Sequence, residues 1–286
     1  MKDVEKLIKE TFDRPKIKRI NKKCINLSYI INSKNHEFVF RYFPSDNWKV
    51  KKEKFLYNLI NKKTDIPVPK VFKTGKDFII LSKLKGKHLS LKDKKQIEKA
   101  GEYLAKLHNI KFDKFGWIIA DKIKPSFNNW VDFLEYDLNH KIKKAKNILD
   151  KKFIEKIKHY FNKNKKLLVT KEKPCLLHKD YHFSHILVDK DKITGIIDLE
   201  WAIAGHSEMD LAKSCLWMFD NKKQEKIFLK GYKKYNKISK DFEKRRKIYD
   251  LLTLFSSLIF SCELKHKKWY DYNMKKIKVI LNGKHN

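Results

Sequence analysis

The hydrophobic pattern of the chain changes its period near residue 85. Before that point, short apolar runs alternate with turns, as in β-strands, and one longer segment has helical spacing. After Gly86, apolar residues recur at helical spacing over long segments. The sequence therefore predicts an α+β fold, with a small N-terminal β-sheet lobe over residues 1–85 and a larger, mostly helical C-terminal lobe over residues 86–286.

Five elements are predicted in the N-terminal lobe. Two runs rich in Ile, Val, Tyr and Phe are separated by a short polar turn, which predicts a β-hairpin. A helix follows, and a pair of prolines ends it before two further strands. These elements are the strands 25–32 and 36–43, the helix 48–61, and the strands 70–74 and 78–83.

The C-terminal lobe combines long helices with one compact island of short strands. Helices are predicted at 92–110, 129–148 and 153–166, and a final run of helices begins near Met209. The island, residues 174–200, holds three short apolar strands joined by polar turns. Polar residues in its loops would be held by a rigid apolar base, so we expect the chemistry of the protein there.

The positive charge of the chain raises the question of a polyanionic partner. The sequence has 68 Lys and Arg residues against 34 Asp and Glu residues, a formal net charge of +34. Lysine supplies 63 of these basic residues and is spread along the whole chain. Because arginine is the side chain that reads phosphate and base edges bidentately, its scarcity argues against a nucleic-acid reader. Most of the lysine is interpreted as solvated surface.

Cysteine spacing and hydropathy indicate the compartment. The four cysteines lie far apart and form no C-x-x-C pair, so neither a zinc knuckle nor a disulfide framework is predicted. No apolar segment follows the N-terminus, and the longest apolar run, residues 251–262, is about half of the roughly 20 residues that a membrane span needs. We therefore expect a cytoplasmic protein without a membrane partner.

The glycines exclude two common nucleotide-binding folds. There are eight, and the first is Gly75. A Walker A loop or a Rossmann G-x-G-x-x-G needs glycines after an early strand, so that backbone N–H groups can approach phosphates. Neither pattern occurs in the sequence. A bound nucleotide would therefore require another architecture.

Two carboxylates stand at the ends of strand-like runs in the island. Asp180 and Asp198 are eighteen residues apart, as two adjacent loops of a β-hairpin would place them. Phosphoryl transfer needs one carboxylate to orient an attacking hydroxyl and accept its proton, and another to hold Mg²⁺ on the leaving phosphates. Asp180 and Asp198 supply these two carboxylates in the island.

Three motifs, in order, resemble those of the aminoglycoside phosphotransferase and choline kinase family. They are His178-Lys179-Asp180, Ile197-Asp198 and Asp210-Leu211-Ala212, which match the H-x-D, I-D and D-L-A elements of that family. The resemblance implies a bilobal protein-kinase-like fold. It also implies that Asp180 is the catalytic base, Asp198 the main Mg²⁺ ligand and Asp210 a structural residue beneath the catalytic loop.

The sequence departs from the family pattern at one position. His185 stands five residues after Asp180, where the family usually has a metal-binding Asn. Mg²⁺ prefers oxygen ligands, so an imidazole there is chemically less favourable. The sequence resembles some 2″-aminoglycoside phosphotransferases in having His at this place. The expected metal residues are therefore Asp198 and His185, and the alternative for His185 is a histidine bonded within its loop.

The N-terminal lobe resembles the nucleotide-binding part of the same family. Arg41 ends a strand-like run at the place of the basic residue that contacts the α and β phosphates, and Glu53 on the next helix is placed like its ion-pair partner. A cation held by a carboxylate can neutralise phosphate charge without reorganising. The alternative for Arg41 is an ordinary half-exposed strand residue.

Two further segments match nucleotide-binding landmarks. Residues 21–29 correspond to the loop that covers the nucleotide, here without glycine, so that Asn26 or Ser28 would supply polar contacts. Residues 81–86 match the interlobe hinge and add Ser82 and Leu84 to the expected nucleotide site.

The resemblance implies a Mg²⁺-dependent kinase that transfers the γ-phosphate of ATP or GTP to a hydroxyl of a small molecule. The acceptor stays open among aminoglycoside-like compounds, sugars and amino alcohols. Two other readings also stay open. One is a silent nucleotide-binding or basic nucleic-acid-binding protein; the other is a metal-dependent hydrolase that uses His178, Asp180, His182 and His185 as ligands.

Overall fold

The computed structural model describes residues 4–20 and 26–283. Its helices are α1 (Val4–Thr11), α2 (Trp48–Lys63), α3 (Lys94–Leu107), α4 (Trp130–Ala145), α5 (Lys151–Asn164), α6 (Glu208–Trp217), α7 (Lys222–Lys233), α8 (Phe242–Glu263) and α9 (Lys267–Leu281). Its strands are β1 (Lys16–Arg19), β2 (Leu27–Ser33), β3 (His36–Tyr42), β4 (Val71–Thr74), β5 (Phe78–Ser82), β6 (Lys87–His88), β7 (Phe115–Ile119), β8 (Lys122–Phe127), β9 (Cys175–Leu177), β10 (Ile186–Asp189), β11 (Lys192–Ile196) and β12 (Ile203–Gly205).

The N-terminal region is an antiparallel sheet of strand order β1-β2-β3-β5-β4. The predicted hairpin is β2 and β3, with Leu27 opposite Tyr42, and the predicted helix and the two later strands are α2, β4 and β5. Strand β3 lies at the centre of the sheet. This arrangement places Arg41 on an inner strand next to the helix that carries Glu53.

Helix α1 and strand β1 extend this sheet and were not expected from the sequence. Val4 and Ile8 of α1 are buried against Tyr29, Ile31 and Phe40, in a small apolar cluster separate from the main core. Both elements are short and rich in lysine. Burial of Val4 and Ile8 holds α1 against the sheet, and pairing with β2 holds β1.

The C-terminal region consists mainly of helices, as predicted. Helices α3 and α7 pack closely because each presents a glycine to the other. A Cβ on Gly101 would lie 2.0 Å from the carbonyl oxygen of Phe228, and one on Gly231 would lie 1.9 Å from that of Glu98. Any larger residue at these two positions would force the helices apart.

Two small sheets lie among these helices and position the island loops. One has the order β11-β10-β6 and the other β8-β7-β12-β9. The three island strands predicted from the sequence are β9, β10 and β11, whereas the β7–β8 hairpin and β12 were missed. Strand β9 leads into residues 178–185, and β11 leads into residues 197–202. These two candidate loops lie next to each other, since His178 of the first is hydrogen-bonded to Ile197 of the second.

One large hydrophobic core joins the inner face of the N-terminal sheet to the helical region. The apolar run at 251–262 lies within α8, where Leu251, Leu254 and Leu258 are fully buried in that core. Among the described helices, none is both long and apolar enough to cross a membrane.

Candidate active site

A cleft of about 1170 Å³ separates the N-terminal sheet from the helical region. Its wall contains side chains from β2, β3, the segment after β5, and both island loops. Glu53 lies behind this wall, fully buried against Arg41. The sequence-predicted residues that line the cleft are Asn26, Ser28, Arg41, Ser82, Leu84, Asp180, His185 and Asp198.

The loop that carries Asp180 is fixed from below by Asp210. The backbone N–H groups of His178 and Lys179 donate to the two carboxylate oxygens of Asp210, at 2.6 and 2.9 Å. Lys179 has a φ of 66°, a backbone conformation that residues other than glycine seldom adopt without such support. The carboxylate of Asp210 thus holds a strained turn immediately before Asp180.

His178 joins the two island loops. One ring nitrogen, Nε2, lies 3.0 Å from the carbonyl oxygen of Ile197 and so donates to it, and Nδ1 accepts from the backbone N–H of Asp180 at 3.3 Å. Burial lowers the pKa of His178. The ring is therefore neutral, and its two hydrogen bonds set the position of Asp180 relative to Asp198.

His185 lies between the two carboxylates. Its Nδ1 is 2.8 Å from the carbonyl oxygen of Asp180, an acceptor, so this nitrogen carries the proton. Its Nε2 lies 3.6 Å from Oδ2 of Asp198. The histidine is bonded within its loop and also presents a nitrogen that can bind a metal ion beside Asp198.

Asp180 is paired with a lysine that the sequence analysis did not identify. The ammonium of Lys213 donates to Oδ1 of Asp180 at 3.0 Å. Burial alone would raise the pKa of Asp180, but Lys213 and His185 outweigh burial and lower it to about 2. Asp180 is therefore ionised at neutral pH and can accept a hydrogen bond from an alcohol.

Arg41 connects the sheet, α2 and the second island loop. Its guanidinium donates to Glu53 at 2.5 Å and to Asp198 at 3.0 Å, and Glu200 lies 3.7 Å away. Burial opposes the charge of Arg41, but Asp198 and Glu53 outweigh it and raise its pKa. The cation is fixed at the edge of the cleft by carboxylates on both sides.

Three carboxylates meet around this arginine. Ligand atoms of Glu53, Asp198 and Glu200 lie within 4.8 Å of one another. Burial raises the pKa of Glu53 to about 8, and burial together with Asp198 raises the pKa of Glu200. One oxygen of Glu53 is buried without a hydrogen-bond partner among the described residues. The three carboxylates share Arg41, and their oxygen donors fit a divalent cation.

Glu200 is integrated into the cluster and is only 9% exposed. Its Oε2 accepts a hydrogen bond from the side chain of Asn26, and the ammonium of Lys49 lies 3.6 Å from the same oxygen. Asn26 therefore contacts the carboxylate cluster from the opposite side of the cleft.

The remaining residues that were predicted to contact the nucleotide lie on β2, at the end of β5 and in the segment after β5. Ser28 stands opposite Arg41 in the β2–β3 register. The hydroxyl of Ser82 accepts from the backbone N–H of Lys70 at 2.9 Å, and Leu84 packs beside Gly195. The other part of the predicted covering loop, residues 21–25, lies outside the described residues.

The four proposed hydrolase ligands do not converge on one point. Both ring nitrogens of His178 are engaged, and His182 has one nitrogen 3.2 Å from the carbonyl oxygen of Trp217 and the other 3.2 Å from the hydroxyl of Ser184. Across residues 4–20 and 26–283, the one group of three or more potential metal ligands that come together is the carboxylate cluster around Arg41. This geometry does not support the hydrolase reading.

Comparison with protein families identifies the chain. The model of the phosphotransferase enzyme family, abbreviated APH, matches residues 16–247. The chain belongs to the phosphotransferase enzyme family. The matched range of this phosphotransferase includes every candidate site residue described above, and it confirms the family inferred from the island motifs. A comparison with curated proteins gives no match.

Solved structures show the same fold over nearly the whole phosphotransferase chain. Aminoglycoside phosphotransferase APH(4)-Ia has a TM-score of 0.79 at 15% identity and covers 99% of both chains. A gentamicin complex of APH(2″)-IIa has a TM-score of 0.74 at 17% identity, over 97% of this chain and 95% of that chain. ADP-bound APH(2″)-Ib has a TM-score of 0.72 at 18% identity, over 98% and 96%. The predicted kinase-like fold is confirmed.

Proposed function

We propose that this phosphotransferase moves the γ-phosphate of ATP or GTP to a hydroxyl of a small molecule, with Mg²⁺ bound at the carboxylate cluster. The observation that carries the proposal is the placement of two differently neutralised carboxylates, Asp180 and Asp198, on either side of His185 in one cleft. Phosphoryl transfer needs one group for the nucleophile and one for the metal.

Asp180 would orient the acceptor hydroxyl. The hydroxyl oxygen forms the new bond to phosphorus as the bond to the leaving nucleoside diphosphate breaks, and the hydroxyl proton passes to Asp180 and then to solvent. With its pKa near 2, Asp180 is a weak base. This suits a transition state in which the proton is transferred late and positioning supplies most of the acceleration.

The carboxylate cluster would hold the metal ion. Asp198 and Glu200 supply the oxygen donors that Mg²⁺ prefers, and His185 presents Nε2 beside Asp198. When bound, Mg²⁺ would neutralise the charge that develops on the transferred phosphates. The crowding of carboxylates in the cluster, visible in the raised pKa of Glu200, supports this assignment.

The nucleotide would lie against the part of the N-terminal sheet that lines the cleft. Arg41, held by Glu53, would contact its phosphates, and Ser82 and Leu84 would contact its base at the segment joining the two proposed lobes, 1–85 and 86–286. Asn26 and Ser28 would contact it from β2. ADP in the APH(2″)-Ib structure supports a nucleotide donor.

The test separates the two aspartates. Asp180→Asn should lower kcat by about 10²–10⁴-fold and leave Mg²⁺-dependent nucleotide binding within a few fold of wild type. Asp198→Ala should abolish Mg²⁺-dependent nucleotide binding, measured by calorimetry with non-hydrolysable ATP and GTP analogues. Asp189→Asn, an exposed aspartate of the same island, is the control and should behave as wild type. Full activity of Asp180→Asn, or unchanged binding by Asp198→Ala, would refute the proposal.

A further inference from the structure

The helical side of the cleft is lined by lysines next to Asp180. They belong to three separate elements, α4, the loop before Asp180 and α6, so the charge is not a feature of one helix. The four that line this side of the cleft are Lys141, Lys144, Lys179 and Lys213.

Two of these four lysines already have a carboxylate partner. Lys141 pairs with Asp137 at 2.5 Å, and Lys213 pairs with Asp180 at 3.0 Å. These pairs also occupy the two aspartates of this wall. Their charges are locally compensated, and they leave little net field for a ligand.

The other two lysines have no carboxylate partner among the described residues. The ammonium of Lys179 has one polar contact, the sulfur of Met209 at 3.4 Å, which is a weak acceptor. Lys144 is exposed on the cleft side of α4 and forms no ion pair with any described residue. Burial, with Lys141 and Lys213 nearby, lowers the pKa of Lys179 to about 7, so its ammonium form lacks a compensating charge. Lys144 and Lys179 therefore line the same cleft as Asp180 without a carboxylate partner among the described residues.

The rest of this wall offers little to balance a cationic ligand. Trp217, Phe260 and Trp269 give it an apolar surface, and Glu263, its one further carboxylate among the described lining residues, lies at the exposed end of α8. A polycation would meet the ammonium groups of Lys144 and Lys179 as like charges. An acceptor with an anionic group would instead neutralise them.

We propose that the acceptor is a small alcohol carrying a carboxylate or phosphate group, which Lys144 and Lys179 bind while Asp180 takes the hydroxyl. The inference rests on the proposed function and narrows its substrate class. It places polycationic aminoglycosides outside the preferred acceptors.

The experiment compares acceptors that differ only in the anionic group. Acceptor-stimulated formation of nucleoside diphosphate is measured with ribose 5-phosphate against ribose, glycerate against glycerol, and kanamycin as the polycation. We expect the anionic member of at least one pair to have a kcat/KM about tenfold or more above its neutral partner and above kanamycin. The two pairs tell phosphate from carboxylate. Because Lys144 is exposed, the KM of the preferred acceptor should rise with salt.

Variants assign the effect to the two lysines. Lys144→Glu and Lys179→Met should each raise the KM of the anionic acceptor by about tenfold or more and change kcat much less. Lys143→Glu is the matched control, because Lys143 is the exposed neighbour on α4 and does not line the cleft. An equal effect of Lys143→Glu would mean a general surface-charge effect and would overturn the assignment.

Failure of this inference is distinguishable from failure of the proposed function. If Mg²⁺-dependent nucleotide binding holds and neutral or cationic alcohols are used as well as anionic ones, the substrate class is wrong. The same conclusion follows if nucleotide binds and no anionic alcohol is phosphorylated. If nucleotide does not bind, or Asp180→Asn is as active as wild type, the proposed function itself is wrong.

Discussion

The two carboxylate sites of the cleft differ in how their charge is neutralised. Asp180 has its own cation, Lys213, and a pKa of about 2. Asp198 shares Arg41 with Glu53 and Glu200, and the pKa values of these two glutamates are raised by burial. The carboxylate of the first site is ionised at neutral pH, whereas the carboxylates of the second site oppose one another's ionisation. One is therefore suited to act on a neutral hydroxyl, and the other to bind a divalent cation.

The largest effect is expected from removing Arg41, the cation that the carboxylates of the second site share. Arg41→Met leaves Glu53 and Asp198 buried without the guanidinium, and we expect a loss of about 3–5 kcal/mol in the free energy of unfolding without metal. Urea denaturation in EDTA measures it, and saturating Mg²⁺ should restore part of the loss. Arg14→Met, at an exposed arginine, is the control. A loss no larger than that of the control would contradict the shared-cation account.

Removing the cation of the first site should act on catalysis instead. Lys213→Met withdraws a charged hydrogen bond from Asp180, so we expect kcat to fall about tenfold to a hundredfold. The pKa of Asp180 should rise toward its ordinary value, which moves the acidic limb of the kcat profile to higher pH. Lys226→Met, at an exposed lysine of α7, should leave both unchanged. An unaltered pH profile in Lys213→Met would show that Lys213 does not control Asp180.

Reducing the crowding of the second site should weaken metal binding while leaving the metal-free protein at least as stable. Glu200→Gln removes one of the three crowded carboxylates, and we expect the Mg²⁺ dissociation constant to rise about tenfold. Calorimetric Mg²⁺ titration and thermal unfolding in EDTA measure the two effects. The exposed Glu155→Gln serves as control. Unchanged Mg²⁺ affinity would place the metal away from Glu200.

The two sites should also give stability opposite dependences on pH. In metal-free protein, the pKa of Glu53 is about 8 against an ordinary 4.5, so the folded state retains a proton that the unfolded chain has lost, and stability falls as pH rises between these values. Asp180 contributes stability above its ordinary 3.8 that is lost as pH falls through about 2. Thermal unfolding at pH 5–8 in EDTA should show the falling slope, and Glu53→Gln should reduce it. The same slope in Glu53→Gln would exclude this glutamate as its source.

Much of the fold could be predicted because the longer elements follow strong local patterns. Helix α3 was expected over 92–110 and begins at Lys94, because the side chain of Asp93 accepts from the backbone N–H groups of Lys95 and Gln96. The β7–β8 hairpin was missed because its short strands depend on pairing with β12, far along the chain. Local periodicity carries no information about such a partner.

The residues of the candidate site also divide into those that the local sequence predicts and those that depend on long-range contacts. Asp180 and Asp198 are marked by local motifs, and Lys213 could have been found, since it follows Asp210 by three residues and so lies on the helical face nearest the catalytic loop. The burial of Glu200 could not, because its partner Asn26 is 174 residues away in sequence. The contrast between the two sites depends on such long-range contacts.

The close packing of α3 and α7 has a consequence for redesign of this enzyme. The backbone carbonyl of Ala100, next to Gly101, accepts a hydrogen bond from the hydroxyl of Tyr181 at 2.8 Å. His108, at the end of α3, contacts both Tyr232 of α7 and Asp210. The loop that carries Asp180 is thus aligned from behind by a rigid support that does not include Lys144. An engineer could exchange Lys144 to change acceptor preference without re-optimising the reaction geometry, whereas a substitution at Gly101 would disturb the loop from outside the cleft.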